Sequence, residues 1–396
     1  MSLAGLKTEG TFGAIFLVTG CCIGAGMIGL PVMSALAGFL PSSIAMMLCY
    51  VFTTITGLLL VEATLWFEGE RVNLPSIVEA TLGKTGKVIT LFLFLFLFYC
   101  LFVAYLDGGG LLFADILSAL LHQSVSREIG ILTCVSFVGA ITYLGTKVVD
   151  NLNQGLLVGL AVSYLILVFV GLPNASRTNL AFTDWTATVA TIPILLICFG
   201  YQNLVPSLTY YLKKNVNAIR MAIIIGNLLP LFIYMLWNSV ILGMISPNTP
   251  LKDSGLVSEL LQGATHSVSI LFFIKSFSLL AILTSFLPIA VSFVDFLKDG
   301  FKKTLHREQK NHGVIVGLVF IPPLICSLLY PNLFLRALEF AGGFIDVLLF
   351  GILPALIILV GRNVKKRVGP YEVMGGNVTP IAVLVVSVFV LFIKLY

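Results

Sequence analysis

Apolar stretches of about 20 residues, each sufficient for one helix across a bilayer, recur along the chain with short polar gaps between them. They fall near 11–38, 42–67, 88–121, 129–146, 154–172, 186–212, 219–245, 266–297, 313–329, 333–360 and 378–395, and so predict about eleven spanning helices. The longest polar gaps, 298–312 and 361–377, are too short to hold a soluble domain. Lys and Arg in the gaps set the orientation. With the N-terminus in the cytoplasm, seventeen of them lie on the inner side and five on the outer, alternating loop by loop.

Two spans are interrupted where an ordinary span stays apolar. The first carries Gly20, Gly24, Gly26 and Gly29 ahead of Pro31. The sixth clusters Gly200, Gln202, Asn203 and Pro206 after Pro193. Glycine weakens a helix, and freed backbone groups are tolerated at membrane depth only where protein or a cavity satisfies them. Paired breaks at matching places in two halves are the mark of a secondary transporter built from repeats. Five spans per half is an odd number, so the second half enters the membrane inverted. Short amphipathic stretches after span two (Asn73–Leu82) and after span seven (Ser254–Leu261) fall at matching places on opposite sides. The chain therefore reads as an all-α polytopic membrane protein with a five-plus-five inverted repeat. The first repeat is 11–172, the second 186–360, and 378–395 is an added helix.

Composition agrees and narrows the function. The chain has 396 residues, 58% hydrophobic and 10% charged, against about 25% charged in soluble proteins. Its mean hydropathy is +1.06. The net charge of +5 resides in short loops and does not point to nucleic acid; lipid is the surrounding partner. No Gly-rich phosphate loop is present and no ATPase subunit is implied. All seven cysteines lie inside apolar spans, with spacing that suits neither disulfides nor zinc, and no cofactor is expected. The first span carries the glycines and lacks an Ala-x-Ala site, which argues against a cleaved leader. An enzyme would show a convergent acid, base or metal cluster at depth, and a channel has no use for two dead-end broken helices.

The candidate chemistry gathers at the breaks. A half-helix starting after Gly26 presents free N–H groups at its positive end, where a carboxylate can dock; Cys22, Ile23, Gly24, Ala25 and Gly26 line that point. Carbonyls ending the first half can hold a cation or an ammonium group. The alternative is close helix packing through Gly20 and Gly24, which leaves the sixth-span break unexplained. Phe199, Gly200, Tyr201 and Gln202 offer an aromatic wall with amide hydrogen bonds. Thr284 and Ser285 in span eight either bind Na⁺ or bond back to their own helix. Ionisable groups within spans are suspects for proton coupling: Asp107, in the outer half of span three; Lys275, at similar depth in span eight and a possible partner for it; Asp346, at mid-depth in span ten; and Glu339, nearer its outer end. Glu62 and Asp295 lie near the cytoplasmic ends, within reach of water.

These residues also carry a resemblance. The run Gly-Cys-Cys-Ile-Gly-Ala-Gly-Met-Ile-Gly-Leu-Pro at 20–31 resembles the first-helix motif of the hydroxy and aromatic amino acid permeases. The resemblance continues in order through 199–208, 283–287, 293–299, 321–324, 329–332 and 352–355. It implies a bacterial inner-membrane importer of aromatic amino acids, tyrosine first among them, driven by proton symport, with Na⁺ coupling or exchange of another neutral amino acid as the alternative. It implies the LeuT-type fold of the amino acid–polyamine–organocation superfamily. On matching positions, the first-span motif would hold the substrate carboxylate and the sixth-span motif its side chain, with Tyr105 also at the substrate. Gly20, Thr284 and Ser285 would stand at the ion position. Asp107, where relatives carry serine, and Lys275 depart from the family pattern.

Overall fold

A computed structural model of the chain describes residues 8–67, 72–247, 256–262, 268–301 and 312–395. The described residues are helical and contain no strand. Span one is α1 (Thr8–Cys22) and α2 (Gly26–Ala37), span two is α3 (Phe39–Leu65), and span three is the long α4 (Leu74–Leu121). Spans four and five are α5 (Arg127–Leu144) and α6 (Thr146–Gly171), followed by the short α7 (Arg177–Leu180). Span six is α8 (Thr188–Cys198) and α9 (Val205–Tyr211), and span seven is α10 (Val216–Met244). Then come the short α11 (Val257–Gln262), α12 (Val268–Phe301) and α13 (His312–Leu329). Span ten joins α14 (Phe334–Phe340) to α15 (Leu353–Asn363) through a π-helical stretch, Ala341–Ile352. The last helix is α16 (Val378–Leu395).

Among the described residues, nine segments are long and apolar enough to cross a membrane, and the α1/α2 pair, bent by 58°, makes a tenth. The apolar core of α16, Val378–Ile393, is shorter, and counting it gives the eleven expected. Both amphipathic stretches are helical where described: Leu74 to Leu82 forms the start of α4, and the second is α11, with Ser254 and Gly255 outside the described residues. Asn73 caps the first by accepting the Ser76 N–H at 3.0 Å, and Gly83, at φ +82°, turns the chain into the span proper. Lys7, Arg71, Lys252 and the basic residues at 302, 303, 307 and 310 also lie outside the described residues.

The helices pack in two groups. In one, α1 lies on α10, α2 on α8, and α3 on α8, α9 and α10. In the other, α4 lies on α5 and α13, and α12 on α6 and α4. The π-helical stretch touches α8 of the first group and α4 of the second, and so lies between them. Small residues allow the closest approaches. A side chain at Gly110 would strike Ile131, and one at Gly130 would strike the Gly110 carbonyl, so Gly110 and Gly130 are what let α4 and α5 meet, while Gly108 faces Phe334 and Ile282.

Buried ion pairs lock the two ends. The expected Asp107–Lys275 pair does not form. Arg127 of α5 donates to Asp107 through Nε, at 3.2 Å, and Nη2, and the Phe334 N–H donates to the other carboxylate oxygen at 2.9 Å. Arg127 also donates to the Ser327 carbonyl at 2.6 Å, which ties α4, α5, α13 and α14 into one knot. Lys275 instead pairs with Asp115, about two turns further along α4, at 2.6 Å. Depth along a helix could not distinguish these partners, since the facing side is set by packing. Glu62, expected to reach water, is 1% exposed and held by Arg362 at 2.7 and 2.6 Å and by the Val373 N–H at 2.8 Å. Asp295 is exposed as expected, 3.5 Å from Lys298.

Arg127→Ala strands Asp107 as a buried charge with its cation removed, a loss of about 3–5 kcal/mol. The apparent melting temperature in detergent should fall clearly for this variant and much less for Lys87→Ala, whose partner Glu79 is only half-buried and can be solvated. Equal stability of the two variants would contradict the assigned knot.

Candidate functional site

The helix of span one stops at Cys22, where the Ile23 N–H makes the last bond, 3.1 Å to Thr19. It restarts with Met27 N–H to Gly24 (3.0 Å) and Ile28 N–H to Ala25 (3.0 Å). That leaves the amides of Gly24, Ala25 and Gly26 at the positive start of α2 as the donors facing the gap. Gly24 and Gly26 each have a steric reason. A side chain on Gly24 would strike the Ser285 hydroxyl, and one on Gly26 would come within 2.8 Å of the Cys198 sulfur. Gly20 has open space around it, and it and Cys21 remain accessible while Cys22, Gly24 and Ala25 are buried.

Span six breaks beside it. Phe199 and Gly200 close the end of α8 by bonding to Leu195 and Ile197, and helix resumes after Tyr201. The Cys21 thiol lies 3.6 Å from the Gly200 carbonyl, so the two breaks face each other. Gln202 stabilises its own turn. Its side-chain oxygen accepts the Tyr201 N–H at 2.9 Å, and its amide nitrogen donates to Thr56 of α3 at 3.3 Å. Phe199 is buried edge-on against Tyr234, with ring centroids 5.5 Å apart. Tyr201 points away from the gap into α3, where its hydroxyl donates to the Thr53 carbonyl at 3.0 Å and packs on Gly57.

Three residues of α10 complete the arrangement, and the sequence reading did not single them out. The Tyr234 hydroxyl reaches the Cys22 carbonyl at 2.6 Å and the Cys198 carbonyl at 3.1 Å, the ends of both first half-helices. Trp237 donates to the Met27 carbonyl at 2.9 Å, and the Asn227 amide donates to Thr53 and Thr54 at 3.0 Å each. The available signal was their spacing: positions 227, 234 and 237 share one helix face, polar or amphipathic within an otherwise apolar span.

The remaining candidates divide. Tyr105 of α4 is buried, edge-on to Phe286 at 5.5 Å, and its phenol lies electrostatically close to Cys21, Cys198 and Asp346. Asp346 is 5% exposed, close to Gly200, and lines a small cavity of about 10 Å³ with Gln202, Thr53 and Leu196. Ser285 meets span one at Gly24, whereas the Thr284 hydroxyl bonds back to Leu280 and Ala281 at 2.8 and 3.2 Å, the bland alternative for that residue. Asp107 and Lys275 each have their own ion partner. Substrate-site candidates on α1, α2 and α8 are thus brought together with Tyr105, Ser285 and Asp346.

The whole arrangement matches known proteins. The chain is 31% identical to a tyrosine-specific transport system 1 of Haemophilus influenzae, over 96% of this chain and 95% of that protein. It is 30% identical to a tryptophan-specific transport protein of Pseudomonas aeruginosa, over 94% and 91%. Its fold is similar to the crystal structure of MhsT in complex with L-phenylalanine, with a TM-score of 0.67 at 14% identity, covering 96% and 97% of the two chains. The sequence model of the tryptophan/tyrosine permease family matches residues 7–394. This chain, an integral multi-pass membrane protein with a LeuT-like fold, therefore belongs to the tryptophan/tyrosine permease family.

Proposed function

We propose that this permease imports tyrosine by proton symport, through alternating access at the two helix breaks. The observation that carries the reading is the Tyr234 hydroxyl set between the Cys22 and Cys198 carbonyls. One O–H satisfies one acceptor fully at a time, so this carbonyl pair has capacity for a second donor, and an α-ammonium group is such a donor. The amides of Gly24, Ala25 and Gly26 at the start of α2 suit the α-carboxylate. Phe199 packs on Tyr234 beside these carbonyls and Tyr105 lies near Cys21 and Cys198. Aromatic neighbours of this kind suit an aromatic side chain, and the tyrosine- and tryptophan-specific relatives support that class.

The two repeats, 11–172 and 186–360, supply the moving parts in this reading. The half-helices of spans one and six hinge with α3 and α10 against α4 and α12. Tyr201 and Gln202 hold the lower half of span six to α3, so a tilt of α9 carries α3 with it. Proton coupling is favoured because a buried carboxylate, Asp346, lies at the sixth-span break. Na⁺ is the alternative, with Ser285 beside Gly24 and the lone pairs of the Thr284 hydroxyl as its candidate ligands.

Labelled tyrosine should accumulate in proteoliposomes when a pH gradient is imposed and not when a Na⁺ gradient replaces it. Unlabelled tyrosine should compete better than tryptophan or phenylalanine. Accumulation with Na⁺ alone would sink the proton reading, and better competition by tryptophan would reassign the substrate. Gly26→Val should abolish uptake while insertion and yield stay normal, because the added side chain fills the contact with Cys198. Preserved transport in that variant would contradict the site.

A further inference from the structure

Among the described residues, Asp346 is the buried carboxylate whose two oxygens receive no hydrogen bond. Every other buried acid has donors: Asp107 has Arg127 and the Phe334 N–H, and Glu62 has Arg362 and the Val373 N–H. Asp115 is paired with Lys275, and Glu339 has an interaction of its own. Among the described residues, no cationic side chain pairs with Asp346. The ionisable groups near it are the Cys100 thiol and Tyr105 phenol of α4, both uncharged in their ordinary forms. From α8 and α3 it meets Leu196, Phe52 and Thr53, none of which titrates.

Its position is as telling as its isolation. Asp346 sits in the middle of the π-helical stretch, and widened turns of this kind are found frequently at functional sites. A side chain on Gly342 would strike the Pro193 carbonyl, so this stretch lies directly on the α8 backbone. One turn further, a side chain on Gly200 would lie 3.6 Å from an Asp346 oxygen. The carboxyl group is therefore at the sixth-span break, on the element that separates the two helix groups.

We propose that Asp346 is the proton-carrying group of this transporter, with Gln202 as the polar neighbour through which its charge is felt at the break. The inference deepens the proton-symport reading and rests on it. In the state described, an ionised carboxylate here would be a buried charge without a partner, so the packed junction holds the acid form. A proton taken from the outer solution converts the carboxylate to the acid and permits α8 to close on the π-helical stretch. Release of that proton to inner water restores the carboxylate, whose need for solvation favours separating the two. No other bond changes, and one proton crosses per cycle of this group. Substrate at the break and the proton on Asp346 favour the same packing of α8, which makes their binding mutually cooperative.

The test compares wild type, Asp346→Asn and Asp346→Glu in proteoliposomes by two assays. One is tyrosine accumulation under an imposed pH gradient. The other is exchange of labelled for unlabelled tyrosine at equal pH, which requires no net proton movement. Asp346→Asn should lose at least tenfold in accumulation and keep exchange within about threefold. Asp346→Glu should retain accumulation with a displaced pH profile. Accumulation by Asp346→Asn at the wild-type level overturns the assignment, and so does loss of both assays in a variant whose melting temperature is unchanged. If Asp346→Asn does not fold, the glutamate variant decides: an unshifted pH profile overturns the proposal. Failure of wild type to respond to pH, with a response to Na⁺, instead overturns the symport reading itself.

Discussion

A polypeptide crossing hydrocarbon has to satisfy its own N–H and C=O groups, each unsatisfied group costing several kcal/mol. This chain breaks that regularity twice at the same depth, and the rest of the structure accommodates the two breaks. The ends of α1 and α8 share one phenol, Tyr234. The start of α2 borrows carbonyls from Gly24 and Ala25, and Gln202 turns its side chain onto the Tyr201 N–H. Each replacement is a side chain or a short three-residue bond, weaker than helical bonding and more easily exchanged for a ligand. A transporter needs that property: backbone valence that is satisfied but replaceable.

Around this centre, packing is arranged so that some contacts are firm and others are not. The outer knot of Asp107, Arg127 and Phe334 and the inner clamp of Glu62, Arg362 and Val373 are charge-assisted and buried, and they fasten helices that should not separate. At the junction of the two helix groups the opposite holds. There the contact is glycine against carbonyl, the helix is widened, and Asp346 has no partner. Stability is therefore uneven along the membrane normal, with the weakest place where the two groups meet. Motion is expected from the low-stability end of such a distribution.

Tyr201 illustrates how a motif and a geometry divide labour. As part of the sixth-span motif it reads as a substrate contact. Its ring packs instead on Gly57 of α3, with the hydroxyl donated to the Thr53 carbonyl. The residue anchors the break rather than lining it, and Phe199 next to it takes the place beside Tyr234. Adjacent residues in non-helical backbone point in unrelated directions, so a five-residue motif can serve two sides of a helix at once.

The sequence by itself determined the number of spans, their order, the two breaks and the two amphipathic turns, because length, apolarity and glycine content are local properties that a bilayer reads one segment at a time. It also marked Asp346 as an acid at mid-depth. It did not choose between partners for Asp107 and Lys275, nor reveal that Glu62 is buried under Arg362, nor that Asn227, Tyr234 and Trp237 close the site. Those facts depend on which helix faces which and at what height. Only the packed tertiary structure fixes that register, since about two turns along α4 separate the carboxylate that meets Arg127 from the one that meets Lys275. The same packing decided which acid was left without a partner.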